Sequence, residues 1–206
     1  MRIGEYLSKA SFSGTILIAG NLDTGSPVMM YAMTGKCDEC RNRALVSAGS
    51  VLSVNSLDKS RLYDVSYESG AWKVYANGEH GGVILKGLDS GLSLLETLDQ
   101  LELSESERNA KLALVTKEDG SYSIAVLLSD SGKIDRVVYH YKPHPGFGHV
   151  IASFDEGKAQ DPVLVRFKGR LSALCTEVWD SLDSEDKVSL YVGYGDAEKV
   201  INKRIH

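Results

Sequence analysis

Between Lys111 and Tyr141 the chain runs through three apolar stretches, Lys111 to Thr116, Tyr122 to Leu128 and Ile134 to Tyr141, punctuated by Asp119-Gly120 and Ser131-Gly132. Such dipeptides take up the backbone angles of tight hairpin turns, and β-branched and aromatic runs of this length read as strands. The result is an antiparallel meander. A sheet of that kind has at least one apolar face to bury, so the rest of the chain must supply layers that cover it.

The flanking segments supply more of both kinds of element. Ile3 to Lys9 reads as a short helix and Thr15 to Ala19 as a buried strand, joined through a polar turn at Asn21 to Pro27 to a second strand at Val28 to Met33. Ala44 to Val54, Arg61 to Tyr67, Trp72 to Ala76, Val150 to Phe154 and Lys187 to Tyr194 are further strands, the last followed by a polar tail. In Arg61 to Tyr67 the alternation puts Tyr63 on the apolar face. Leu92, Leu95, Leu98 and Leu101 recur at steps of three and predict a helix over Gly91 to Leu103. Leu171 to Leu182 predicts another, with Cys175 on its buried face. Many antiparallel strands with helices at a few places argue for an α+β fold, and a chain of 206 residues without linkers or repeats reads as one domain, 1–206.

A formal net charge of −5 argues against nucleic acid or an anionic membrane as partner, since those surfaces demand an excess of Lys and Arg. Met1 to Gly14 holds no long apolar run and no small-residue cleavage pattern, so the chain reads as cytoplasmic. Three cysteines, Cys37, Cys40 and Cys175, are too few for a disulfide scaffold, and reduced thiols are the expectation.

The densest polar stretch is Gly35 to Arg43, GKCDECRNR, which follows the second strand. Guanidinium forks match phosphate or carboxylate oxygens in pairs, so Arg41 and Arg43 suggest an anion seat. The alternative is a solvated turn in which they pair with Asp38 and Glu39. Cys37 and Cys40 form a lone CxxC without the second half of a zinc site, and they do not open a helix of a βαβ unit as a redox pair would. Asn77-Gly78 reads as a turn. His149 follows two glycines in PHPGFGH and enters an apolar strand, a setting for a donor or proton carrier or for a core histidine bonded to backbone. No serine, threonine or cysteine stands in a nucleophile motif.

Taken in order, GTILIAG, GKCDECRNR, RLYDV, YANGEH, PGFGH and KVSLYVGY resemble the IMP cyclohydrolases of the archaeal type and their bacterial relatives. The resemblance implies a four-layer αββα sandwich of mostly antiparallel sheets, like that of N-terminal nucleophile hydrolases without the terminal nucleophile. It implies closure of the purine ring of formamidoimidazole carboxamide ribonucleotide to inosine monophosphate and water, with no metal or organic cofactor. It further implies a purine ribonucleotide as small-molecule partner and a homo-oligomer. By the same resemblance Arg43 contacts substrate, Tyr63 is an active-site phenol and Glu102 is a general base or orients one. Arg41, Asn42, Asn77, Lys111 and His149 fall among the substrate-binding positions. Thr15, Lys36 and Lys111 stand where the family carries arginine.

Overall fold

A computed structural model describes residues 1–59, 62–102, 110–130, 133–153, 159–195 and 197–203. It is a mixed α and β structure whose sheet ladders are all antiparallel. Helix α1 (Ile3–Lys9) precedes strands β1 (Thr15–Asn21) and β2 (Pro27–Thr34), which pair from Thr15 opposite Met33 to Asn21 opposite Pro27. A four-residue helix α2 (Asp38–Arg41) leads into β3 (Arg43–Ala48), β4 (Val51–Ser56) and β5 (Tyr63–Asp64), which make a three-stranded sheet. Then come β6 (Ser66–Ser69), β7 (Trp72–Ala76), α3 (His80–Asp89), α4 (Leu94–Asp99), β8 (Lys111–Lys117), β9 (Tyr122–Asp130) and β10 (Lys133–Tyr141). The chain continues through β11 (Phe147–Ala152), β12 (Val163–Arg166), α5 (Leu171–Ser181), β13 (Lys187–Tyr194) and β14 (Ala197–Asn202).

One sheet has the order β12-β11-β1-β2-β13-β14 and another β10-β9-β8-β7-β6. The strand period of two divides their side chains cleanly. Ile16 and Ile18 of β1 and Met30 and Ala32 of β2 pack against Ile3 and Leu7 of α1 and Leu174, Cys175 and Val178 of α5. Their alternates Leu17, Tyr31 and Met33 face Leu112, Leu114, Ile124 and Val126 of β8 and β9. On its other side that second sheet offers Val74, Ala113, Val115 and Ala125 to Ile84 and Leu88 of α3 and Leu94 and Leu98 of α4. There are thus three apolar clusters, one between the two sheets and one beneath each pair of helices.

The three-stranded sheet is fastened at its edge by a side chain. Asn202 on β14 accepts a hydrogen bond from the Leu45 amide at 3.0 Å and donates one to the Leu45 carbonyl at 3.0 Å, standing in for a neighbouring strand of β3.

Several segments depart from the sequence reading. Ala44 to Val54 is two strands, because Gly49 at φ 64° turns the chain back on itself. Arg61 to Tyr67 is broken after Asp64, and positions 60 and 61 lie outside the described residues. Asn77-Gly78 does not close a hairpin: Gly78 stays out of the left-handed region and the chain enters α3. Glycines weaken the helical signal of HGGVILKGLD, but a Cβ on Gly81 would meet the Tyr67 ring at 2.5 Å, so packing against that ring favours the residue with no side chain. The leucine run is helical only over α4, which starts at a capping box between Ser93 and Glu96. The polar tail is partly β14, recruited by pairing with β13. The Ser131-Gly132 turn lies outside the described residues.

Candidate active site

Strand β2 brings Tyr31 to the inner face of its sheet, where the ring is wholly buried. Its hydroxyl lies 3.0 Å from that of Tyr63 and 3.3 Å from Thr15 Oγ1, so three hydroxyls from β1, β2 and β5 form one chain. Burial pushes the Tyr31 phenol well above its ordinary range, and Tyr63 beside it adds to the rise. Burial also raises Tyr63, but there the Tyr31 hydroxyl and the nearby Arg43 guanidinium pull back downward. The pair is therefore asymmetric. Were Tyr63 to give up its proton, Tyr31 would donate to the phenolate and Arg43 would neutralise it.

Arg43 reaches this cluster from the first position of β3, with its Nε donating to the Cys40 carbonyl at 3.1 Å. That carbonyl belongs to a tight turn. Cys37 caps α2, its Sγ accepting from the Cys40 amide at 3.1 Å, and the two sulfurs are joined in a disulfide. The expectation of reduced thiols thus fails for Cys37 and Cys40, since four residues of helix bring their side chains to one side; it holds for buried Cys175. Gly35 lets the turn pack closely: a Cβ there would meet Cys40 Cβ at 2.3 Å.

Arg41 lies 3.8 Å from Asp186 and 4.0 Å from Asp38, contacts of charge rather than hydrogen bonds, and its Nε is a buried donor without a partner among the described residues. The expected pairing with Asp38 is present but long. Asn42, half-buried, caps the C-terminus of α2 between the two arginines.

Asn77 and Lys111 lie at the same end of the second sheet, where Ala76 pairs with Ala113 and β6 begins just after Tyr63 and Asp64. The Asn77 amide is committed to backbone, donating to the Ala110 carbonyl at 2.9 Å and accepting from the Leu112 amide at 2.8 Å. It builds the wall at the start of β8. Lys111 opens that strand, half-buried. Glu102 is exposed just beyond Leu101, which packs under α3 and α4 on the far side of that sheet from Tyr31.

His149 is not brought to this group. It pairs with Ala19, four residues along β1 from Thr15, or about 13 Å at the rise of a strand. There its Nδ1 meets the Tyr122 hydroxyl at 2.7 Å and its ring stacks on Tyr141 at 3.7 Å, and burial lowers its pKa. Tyr31 escaped the sequence reading because VMMYAMT looks like an apolar strand throughout. The signal was there in the alternation, which puts Tyr31 and Thr15 on one face.

The arrangement can polarise an oxygen with a guanidinium and pass it a proton from a phenol backed by a second phenol. Residues 12–199 match the model of a family described as IMP cyclohydrolase-like protein. No curated protein matches the chain.

Proposed function

The chain belongs to the IMP cyclohydrolase-like family, and from that premise we propose that it closes the purine ring of formamidoimidazole carboxamide ribonucleotide to give inosine monophosphate and water. The observation that carries this reading is the convergence of Thr15, Tyr31, Tyr63 and Arg43 at one end of the layer between the two sheets. The three apolar clusters fit an αββα order of layers like that of N-terminal nucleophile hydrolases, in a single domain.

In the reaction the carboxamide nitrogen attacks the formyl carbon and a C–N bond forms. Negative charge grows on the formyl oxygen. Arg43 balances that charge and Tyr63 supplies its proton, with Tyr31 donating to the resulting phenolate. The nitrogen loses a proton to a base, a role the resemblance gives to Glu102 although Leu101 beside it packs on the far side of the second sheet from Tyr31. The carbinol oxygen then leaves as water when a second proton reaches it, while the former formamido nitrogen gives up its own proton and the ring C=N bond forms. Arg41, Asn42 and Lys111 hold the phosphate, and Asn77 shapes the wall. His149, at the far end of β1, is left out of this set.

Incubating the purified protein with the formamido ribonucleotide and following absorbance as the hypoxanthine ring forms tests the reading. Steady turnover is expected, and none at high protein concentration removes it. One observation favours a second reading, a nucleotide-binding protein without turnover: Thr15, standing where the family carries arginine, spends its hydroxyl on Tyr31. Calorimetric titration with inosine monophosphate separates the two, since binding without turnover selects the second.

A further inference from the structure

At the opposite end of the layer between the sheets, away from Arg43, lies a cavity of about 350 Å3, a volume within the range of small-molecule sites. Ala19 and Gly20 of β1 line it, which sets it four to five residues along that strand from Thr15. Its walls are aromatic, with Tyr75, Tyr122 and Tyr191 around Met29, all buried, while Trp72 borders it from a position whose side chain packs with the cluster under α3 and α4. Four large side chains bordering an open space is an unusual outcome of packing between two sheets, because interiors normally fill.

Gly193 also borders this space. It sits inside β13, opposite Met29, at the alternation that points inward, and its backbone is extended, so no turn requires glycine. A Cβ built there would crowd Tyr191 of its own strand, with the hydroxyl at 3.1 Å and ring carbons at 3.2 and 3.5 Å as the three nearest atoms. Glycine inside a strand weakens it and often marks a place where a ligand approaches the backbone. The Tyr191 ring lying over it is a second, packing reason for glycine here.

The rim is electrically balanced. Lys73 pairs with Glu68 at 3.2 Å, the Lys117 ammonium lies 4.8 Å above the Trp72 ring, and Glu118 completes two acids against two bases. A charged ligand would lose hydration without a committed counter-charge. The interior polar groups are phenols, which both donate and accept, and burial raises the pKa of Tyr75, Tyr122 and Tyr191 so that they stay neutral. Behind Tyr122 stands His149, whose Nδ1 fixes the hydroxyl from 2.7 Å. The histidine that follows the glycines of PHPGFGH thus stands behind one wall of this cavity.

We propose that the cavity binds a flat, uncharged heteroaromatic ring of nucleobase size between its aromatic walls, with the Tyr122 hydroxyl, oriented by His149, as its polar contact. Flat rings match aromatic walls, and ring nitrogens or exocyclic groups match a hydroxyl that can donate or accept. The inference does not depend on the activity proposed for the Arg43 end.

The chain has two tryptophans, so Trp179→Phe leaves Trp72, which borders the cavity, as the reporter. Titration of that variant with adenine, and separately with nicotinamide, is expected to quench Trp72 saturably with at least one of the two. Gly193→Leu in the same background fills the space and should weaken binding by about tenfold or more, and Tyr122→Phe by several-fold. Should Gly193→Leu fail to fold, Gly193→Ala decides, with about threefold weakening expected. Arg43→Ala should leave the titration unchanged. Absence of saturable quenching by either ring to about 10 mM, a leucine or alanine variant that binds as the parent does, or loss of binding in Arg43→Ala would each overturn the proposal.

Discussion

The hydroxyl of Tyr63 stands 3.0 Å from that of Tyr31, a phenol with no exposed surface, and the two are pushed to different degrees by the same burial. If Tyr63 delivers a proton, Tyr63→Phe should lower kcat by about 100-fold or more, the usual scale for a general acid. Tyr31→Phe should lower kcat by roughly tenfold at nearly constant KM, because it withdraws one hydrogen bond from the developing phenolate. Steady-state kinetics on the two variants and the double variant check this, and additive losses would mean that the phenols act separately.

Arg43→Lys keeps the charge and discards the planar fork, including the Nε that holds the Cys40 carbonyl. Loss of a preorganised donor to a developing oxyanion costs about 100-fold or more in kcat, and the lysine is expected to recover little of what alanine loses. A lysine variant within twofold of the parent would show that charge alone suffices.

Thiol titration in denaturant should find one reactive cysteine, Cys175, before reduction and all three afterwards. Opening the Cys37–Cys40 bond frees the turn whose carbonyl holds Arg43, so a dithiol reductant should lower kcat at nearly constant KM. Cys175→Ser should not alter that response.

Asn77→Ala leaves the Ala110 carbonyl and the Leu112 amide without their partner in a buried place, and should destabilise the fold by about 2–4 kcal/mol. Asn77→Asp restores only the acceptor and turns an oxygen toward the Ala110 carbonyl. Urea denaturation should rank the parent above both variants.

Alkaline pH should unfold the protein early. Burial raises the folded pKa of Tyr31, Tyr63, Tyr75 and Tyr122 above the ordinary value of 10.0, and that of Tyr67 to about 12. A folded state that binds protons more tightly than the unfolded one loses stability as pH rises. The loss therefore begins near pH 10, where unfolded tyrosine ionises, and grows toward the folded values. Melting temperatures that stay flat between about pH 8 and pH 11 would contradict this burial of phenols.

What the sequence disclosed is what local chemistry determines. The strands around Asp119-Gly120 follow from turn residues and alternation, and Gly120 does adopt φ +80°. The helix at Leu171 follows from its period. What it concealed depends on partners far along the chain. AEKVIN becomes a strand because β13 lies beside it, and α3 forms across three glycines because Tyr67 packs on two of them. In the site, Arg43 and Tyr63 were legible by type and by resemblance, whereas Tyr31 was masked by apolar neighbours. His149, which the resemblance set among the substrate-binding positions, is carried by strand register to the other mouth of the sheets.

The Asn202 clamp on Leu45 spans 157 positions of sequence. During synthesis, β3 and the arginine at its head must therefore wait for almost the whole polypeptide before their edge can be fastened. Contacts of such long range slow folding. An Asn202→Leu chain would be expected to refold without that late step yet regain only part of its arginine-dependent function, because the edge of β3 is left unfastened.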